Sequence, residues 1–191
     1  SDPLEGFTMG RTLLCWPLAL VLLAGCNNKG ADVSSLDVGA TIPLTSTALP
    51  QGQPIPKRYA KGGDNRSPPL AWSNVPKDVK SFTLICEDPD APGGSFVHWV
   101  IWNIPGDARE LPEEMPTDAS MRDGTRQGKN GFGDVGYTGP DPPSGLHHYF
   151  FKLYALDTKL ELPEAATRQD LESAMRSHVL GHGQLMGTYQ K

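Results

Sequence analysis

The sequence predicts a mainly β protein built as an antiparallel sandwich, and three observations carry that expectation. Three strongly apolar runs of strand length occupy residues 81–87, 96–104 and 146–156. Turn formers surround them: Gly 21 and Pro 18 make up a fifth of the 191 residues, against about 12% for the two in ordinary chains, so the connections are tight and numerous. A clear helical period occurs in one stretch, residues 167–180, and it comes late, which fits stacked sheets better than alternating βαβ units. A chain of this length with 38% hydrophobic residues builds one domain with a substantial core. A net charge of -5 argues against a nucleic-acid surface while leaving room for a small local anion site.

In chain order, residues 1–8 precede a plausible initiator, Met9, show no targeting pattern and read as a cloning remnant. Arg11, an apolar run over residues 13–24 and small residues before a cleavage point then describe a secretory signal over residues 9–25, too short for a comfortable membrane span. Its ending, Leu23-Ala24-Gly25-Cys26, resembles the lipobox of bacterial lipoproteins, which makes Cys26 the lipidated first residue of the mature chain. Residues 26–40 are a small, polar tether, and residues 41–191 form the domain. With Cys15 removed and Cys26 acylated, Cys86 is the remaining thiol, a core residue in an apolar strand.

Residues 41–48 alternate weakly as a first strand, and residues 62–72 are a loop that runs into a short extended piece. Residues 105–126, proline-rich and charged, form a surface excursion. Residues 124–145 hold seven glycines and three prolines; so long a loop in a compact domain is expected to shape a site or to move. The helix at 167–180 opens on Thr167 and Asp170 as a capping box, presents Leu171, Ala174, Met175, His178 and Val179 as its apolar stripe, and stops at Gly181. Residues 185–190 read as a closing strand.

The chemistry gathers around residues 81–104. Between the first two strands lies Asp88-Pro89-Asp90-Ala91-Pro92-Gly93-Gly94, which cannot continue a sheet ladder and sets two carboxylates in a stiff turn. Alternation along the strands places Phe82, Leu84, Cys86 and Asp88 on one face, and His98 with Val100, Trp102 and Ile104 on another. In the third strand it groups His147 and Tyr149 with Phe151, Leu153 and Ala155, and sends His148 the other way with Lys152. Polar groups that end apolar faces need partners, so Asp88, His98, His147 and Tyr149 are the candidate site. Two imidazoles, a phenol and glycine-rich backbone suit an anion, with Asp88 holding a histidine oriented and protonated.

These segments resemble a known family. Asp88-Pro89-Asp90-Ala91-Pro92, His98-Trp99 and Gly139-Pro140-Asp141-Pro142-Pro143-Ser144-Gly145-Leu146-His147-His148-Tyr149 are similar to signature segments of the phosphatidylethanolamine-binding protein (PEBP) family, in particular its bacterial Raf-kinase-inhibitor-like branch. Asn65-Arg66-Ser67-Pro68-Pro69-Leu70-Ala71-Trp72, Tyr154-Ala155-Leu156-Asp157 and Leu185-Met186-Gly187-Thr188-Tyr189 agree as well, so the likeness spans about residues 40–190. It implies two antiparallel sheets packed as a Greek-key β-sandwich with a few short helices. It also implies a pocket for phosphate, phosphorylethanolamine or a phospholipid head group, lined by Asp88, Asp90, Ala91, Pro92, His98, Gly139, Pro140, His147 and Tyr149. Two positions depart from the family pattern: His148 stands where arginine is usual, and Asp141, where the bacterial branch often has cysteine, adds negative charge at the entrance.

Two other classes stay open. An enzyme would use Asp88, His98 and His147 as a metal triad, or Ser95 or Ser144 as nucleophile, but no G-x-S-x-G, H-E-x-x-H or P-loop motif supports it. The expectation is therefore a binding protein with no catalytic residue, cofactor or metal. A protein-interaction module, inhibiting a kinase or protease as some relatives of the family do, would use the surface of residues 105–126. No motif names a protein partner, and the expected location is the bacterial envelope, anchored through Cys26 on the periplasmic face.

Overall fold

The computed structural model describes Leu36 and residues 39–191. The segment expected to be a signal peptide (residues 9–25), Cys26 and most of the expected tether lie outside the described residues. Among the described residues nine strands form two sheets, and one α-helix packs on the larger. In order they are β1 (Ala40–Thr41), β2 (Leu44–Thr45), β3 (Leu70–Trp72), β4 (Ser81–Asp88), β5 (Phe96–Pro105), β6 (Glu110–Leu111), β7 (Arg126–Gln127), β8 (Leu146–Leu156), α1 (Arg168–Met175) and β9 (Val179–Gln190). The large sheet runs β1-β9-β8-β4-β5-β7 and the small one β2-β3-β6. Pairing is antiparallel except between β1 and β9, which are parallel. The weak strand expected over residues 41–48 is thus two short strands, one in each sheet.

Two cores cover the two faces of the large sheet. Phe82, Leu84, Cys86, Trp99, Ile101, Phe151 and Leu153 meet Leu44, Leu70, Trp72 and Leu111 of the small sheet. On the opposite face Ile85, Val100, Trp102, Tyr154 and Leu156 pack beneath Leu171 and Met175 of α1. Both faces of β4 are covered, and all eight of its residues are buried. That explains its near-continuous apolar character. Burial, then the nearby Glu87 and Asp88, pushes the Cys86 thiol up, so it behaves as an inert core residue.

The helix starts where the sequence places it and ends sooner. Thr167 and Asp170 form the capping box: the Thr167 backbone N–H donates to Asp170 Oδ2 at 2.8 Å, and Asp170 N–H donates to Thr167 Oγ1 at 3.4 Å. Thr167→Ala should cost about 1 kcal/mol, read as a shift in the urea midpoint at constant slope. The expected continuation to residue 180 is overturned: α1 stops at Met175 and the chain becomes strand at Val179, six residues before the expected closing strand. The cause is tertiary. Gly181 and Gly183 let β9 lie against β1 so closely that an added Cβ would stand 2.6 Å from the Ala40 carbonyl oxygen and 2.2 Å from that of Ile42. His178 and Val179, part of the helical stripe, instead lead into this strand, with His178 Nδ1 2.7 Å from Asp157 Oδ1.

Strict alternation also fails in β5. Cys86 faces Trp99 while Glu87 faces Val97, so His98 is the extra residue of a β-bulge, and a second irregularity lies near Asn103, whose φ is 55°. Ile104 therefore joins Trp99 and Ile101 in the core between the sheets, while Val100 and Trp102 lie under α1. The expected grouping of His98 with Val100, Trp102 and Ile104 is corrected on this point. A bulge turns a side chain toward a face that alternation denies it.

Among the described residues no helix is long and apolar enough to cross a membrane.

Candidate anion site

Asp88 ends β4 and is almost wholly buried. Its Oδ2 lies 2.7 Å from Nδ1 of His147, also buried, and its Oδ1 accepts the Asp90 N–H at 2.9 Å, closing the turn. The carboxylate therefore does two jobs, bracing the turn and fixing one imidazole. Two residues on in β8, the Tyr149 ring is buried and its hydroxyl makes no hydrogen bond of normal geometry. Burial first, then the Asp88 charge, pushes the Tyr149 phenol far above its usual range. It stays a neutral donor at any ordinary pH.

The bulge brings His98 to the same place, with its ring edge-on to Tyr149 at 5.1 Å between centroids. The long glycine-rich loop supplies its partner: Thr138 donates its N–H to the His98 carbonyl at 3.0 Å, and its own carbonyl lies 2.7 Å from His98 Nδ1. Nδ1–H is thus committed to a backbone acceptor, and Nε2 is the nitrogen left for a ligand. Burial lowers the His98 pKa, against the opposing influence of Thr138 and Asp88. Asp88 offsets burial at this histidine only in part, and its hydrogen bond goes to His147.

The loop is held from inside by Asn130. Its Nδ2 donates to the Gly136 carbonyl and Thr138 Oγ1, and its Oδ1 accepts the N–H groups of Phe132 and Asp134. This sets Phe132 edge-on to both Phe96 and His98, at 4.7 and 5.7 Å. Gly139 packs so tightly on the 3-10 turn Lys57–Tyr59 that a Cβ would stand 1.9 Å from the Tyr59 carbonyl oxygen. Its N–H is already given to Asn65 Oδ1 at 2.8 Å, so Gly139 and the buried Pro140 form a wall without offering a free donor.

The remaining candidates sit at the rim. Ala91 is half-buried and Pro92 exposed in the turn after Asp88. Asp90 faces away: its Oδ2 accepts the His148 N–H at 2.8 Å and lies 2.6 Å from His148 Nδ1, so it ties the turn to the outer side of β8. That contact lowers the Asp90 pKa from its ordinary carboxylate value. Asp141, next to the Gly139–Pro140 wall, has its charge answered by Lys191 at 2.7 Å and Lys61 at 3.4 Å. Lys61, Phe132, Thr138 and Asn130 are additions that no sequence motif marked.

The serines proposed for an enzyme are placed differently. Ser95 donates to Glu87 Oε2 at 2.7 Å on the helix side of the sheet, where Glu87 also meets Lys152 and Arg168. Ser144 is exposed in the turn before β8. Among the described residues no group of three or more His, Cys, Asp or Glu is placed to hold a metal ion.

A sequence model of the phosphatidylethanolamine-binding protein family matches residues 45–190. The chain belongs to the PEBP family. The UPF0098 protein of Methanothermobacter thermautotrophicus is 52% identical over 137 residues, 72% of this chain and 91% of the relative. Among solved structures, a PEBP homologue from Chlamydia trachomatis is similar at 40% identity and a TM-score of 0.72, covering 81% of this chain and 99% of its own. Escherichia coli YbcL, described as a member of the mammalian PEBP family, is 32% identical with a TM-score of 0.71, over 78% of this chain and 98% of its own. The two sheets with one short helix are thus the PEBP fold, and Asp88, His98, His147 and Tyr149 meet at one end of its large sheet.

Proposed function

We propose that this PEBP-family protein is a binding protein, not an enzyme, that receives a small anion or phosphorylated head group between His98 and His147. Phosphate, phosphorylethanolamine and a phospholipid head group share the chemistry required. The observation that carries the reading is the convergence on Asp88 of a buried Tyr149 hydroxyl, which makes no hydrogen bond of normal geometry beside that carboxylate, with two imidazoles whose Nδ1 atoms are both engaged. A buried O–H in so poorly formed a bond can turn to a better acceptor. The Asp88 carboxylate engages His147 Nδ1 and fixes its ring, which leaves Nε2 as the nitrogen for a ligand. The same proposal places the protein in the bacterial envelope, held by lipid on Cys26 with the domain on the periplasmic face.

Calorimetric titration of the protein with phosphorylethanolamine and with sulfate tests the site. An anion favours a charged His98, so binding takes up a proton. Affinity is then highest below the pKa of free His98 and falls as pH rises through the higher pKa of the complex. Sulfate keeps its charge over this range and separates the protein's titration from that of a phosphomonoester. Heat that is flat with pH, or unchanged in His98→Ala, would sink the reading. For the anchor, Cys26→Ser should move the protein from the membrane fraction to the soluble periplasm; membrane retention would refute it.

The interaction-module alternative draws on one feature. A cavity of about 390 Å³ beside β6, far along β5 from His98, is lined by Ile104, Leu111, Met115, Asp107, Glu110 and Asp123. It lies within the surface excursion and would suit a basic, partly apolar segment of a partner.

A further inference from the structure

Lys61 occupies a place at the anion site that the family signature does not explain. Its backbone N–H donates to the Pro140 carbonyl at 3.1 Å, which pins the residue to the Gly139–Pro140 wall. Its ammonium lies 4.0 Å above the centroid of Phe132, the ring that stands edge-on to His98. A single aromatic ring therefore separates this cation from His98. Its positive charge is felt there, adding slightly to the lowering of the His98 pKa.

The contacts that hold the ammonium are weak ones. Asp141 gives its shorter contact, 2.7 Å, to Lys191 and its longer one, 3.4 Å, to Lys61. Lys61 is exposed and Asp141 partly so, at 41% and 30%. Exposed pairs of this kind stabilise little, and the ring contact is modest for a cation that water still reaches. Lysine is a flexible point charge with three donors, able to leave such partners for a better acceptor. Asp141 is meanwhile kept in place, and ionised, by Lys191.

We infer that Lys61 is a ligand-contacting residue that selects phosphomonoesters: its ammonium leaves Asp141 and closes on the outer oxygens of a terminal phosphate held between His98 and His147. This rests on the anion-site reading above. A terminal phosphate carries a second charge and a third non-bridging oxygen, where a diester has two, and a mobile cation at the mouth is placed to meet it. Asp141 then acts as the resident anion that the ligand displaces.

The test compares phosphorylethanolamine with its diester, glycerophosphorylethanolamine, on the wild-type protein, Lys61→Gln, Lys61→Arg and Asp141→Asn. Lys61→Gln should weaken the monoester about tenfold, as loss of one charge-assisted contact does, and leave the diester within about threefold. Lys61→Arg should restore most of the loss, and Asp141→Asn should tighten the monoester by freeing Lys61. The salt dependence of monoester binding should also flatten in Lys61→Gln, a change that a purely structural lysine would not cause. Co-sedimentation with vesicles of phosphatidic acid in phosphatidylcholine that is lost in Lys61→Gln would support a lipid source. Binding confined to the soluble ester would support a free one. Equal monoester affinity in wild type and Lys61→Gln overturns the role of Lys61 alone. A wild-type protein silent to both esters overturns the anion site and this inference with it.

Discussion

Gly139→Ala is expected to leave a protein that melts about 10 °C lower and no longer binds phosphate. The added Cβ would stand 1.9 Å from the Tyr59 carbonyl oxygen and 2.8 Å from the Ala60 Cα, both backbone atoms that no rotamer change can move. Tyr59 is itself buried, and its carbonyl accepts the Tyr137 hydroxyl at 2.8 Å, so that side cannot yield cheaply. Overpacking a rigid contact costs about 3 kcal/mol or somewhat more, and a domain of this size loses roughly 2–4 °C per kcal/mol. The functional loss follows from position: residue 139 comes directly after Thr138, whose carbonyl holds His98 Nδ1. Gly62→Ala is the control, since its Cβ would meet nothing within 4 Å. Scanning calorimetry of the two variants checks the difference. Equal melting temperatures would mean that the wall is softer than its geometry indicates.

Asp88→Asn is the second large effect, this time on binding with the fold retained. The amide oxygen can still accept the Asp90 N–H, so the turn survives. The partner of His147 Nδ1, 2.7 Å away, loses its charge. Without the carboxylate, the contact that fixes the tautomer and orientation of the His147 ring is weakened, and Nε2 is no longer held toward a ligand. Losing a charge-assisted contact of about 1.5–3 kcal/mol corresponds to roughly 10- to 100-fold in affinity. Titration with phosphate at pH 6, together with imidazole ¹⁵N shifts, measures both affinity and tautomer. Tighter binding in Asp88→Asn would show that the carboxylate chiefly repels the ligand, and the proposed role for Asp88 would fail.

Much of the fold and part of the site are legible in the amino-acid sequence. β4, β5 and β8 announce themselves because strands covered on both faces, or on one face and an edge, are apolar over a short span. The Thr167 and Asp170 capping box is local chemistry, and it forms where the sequence puts it. Alternation places Asp88 on the face of Cys86 and Tyr149 on that of Phe151, and turns His148 outward. Each of those assignments depends on a few neighbouring residues.

Other features depend on how the strands pair. The bulge at His98 exists because β5 is laid against β4, and it moves His98 off the face that local alternation assigns. The end of α1 is set by how closely the glycines of β9 approach β1, which outweighs a helical stripe that continues past Met175. The partners of Asp90, the engagement of Asp141 by two lysines and the approach of Lys61 to Phe132 join residues separated by dozens of positions. Local pattern and composition thus establish the class of fold and single out the candidate residues around Asp88. The aim of each side chain, and the cation that meets them at the mouth, come from long-range packing, because strand register and loop closure are properties of the whole assembly rather than of any segment.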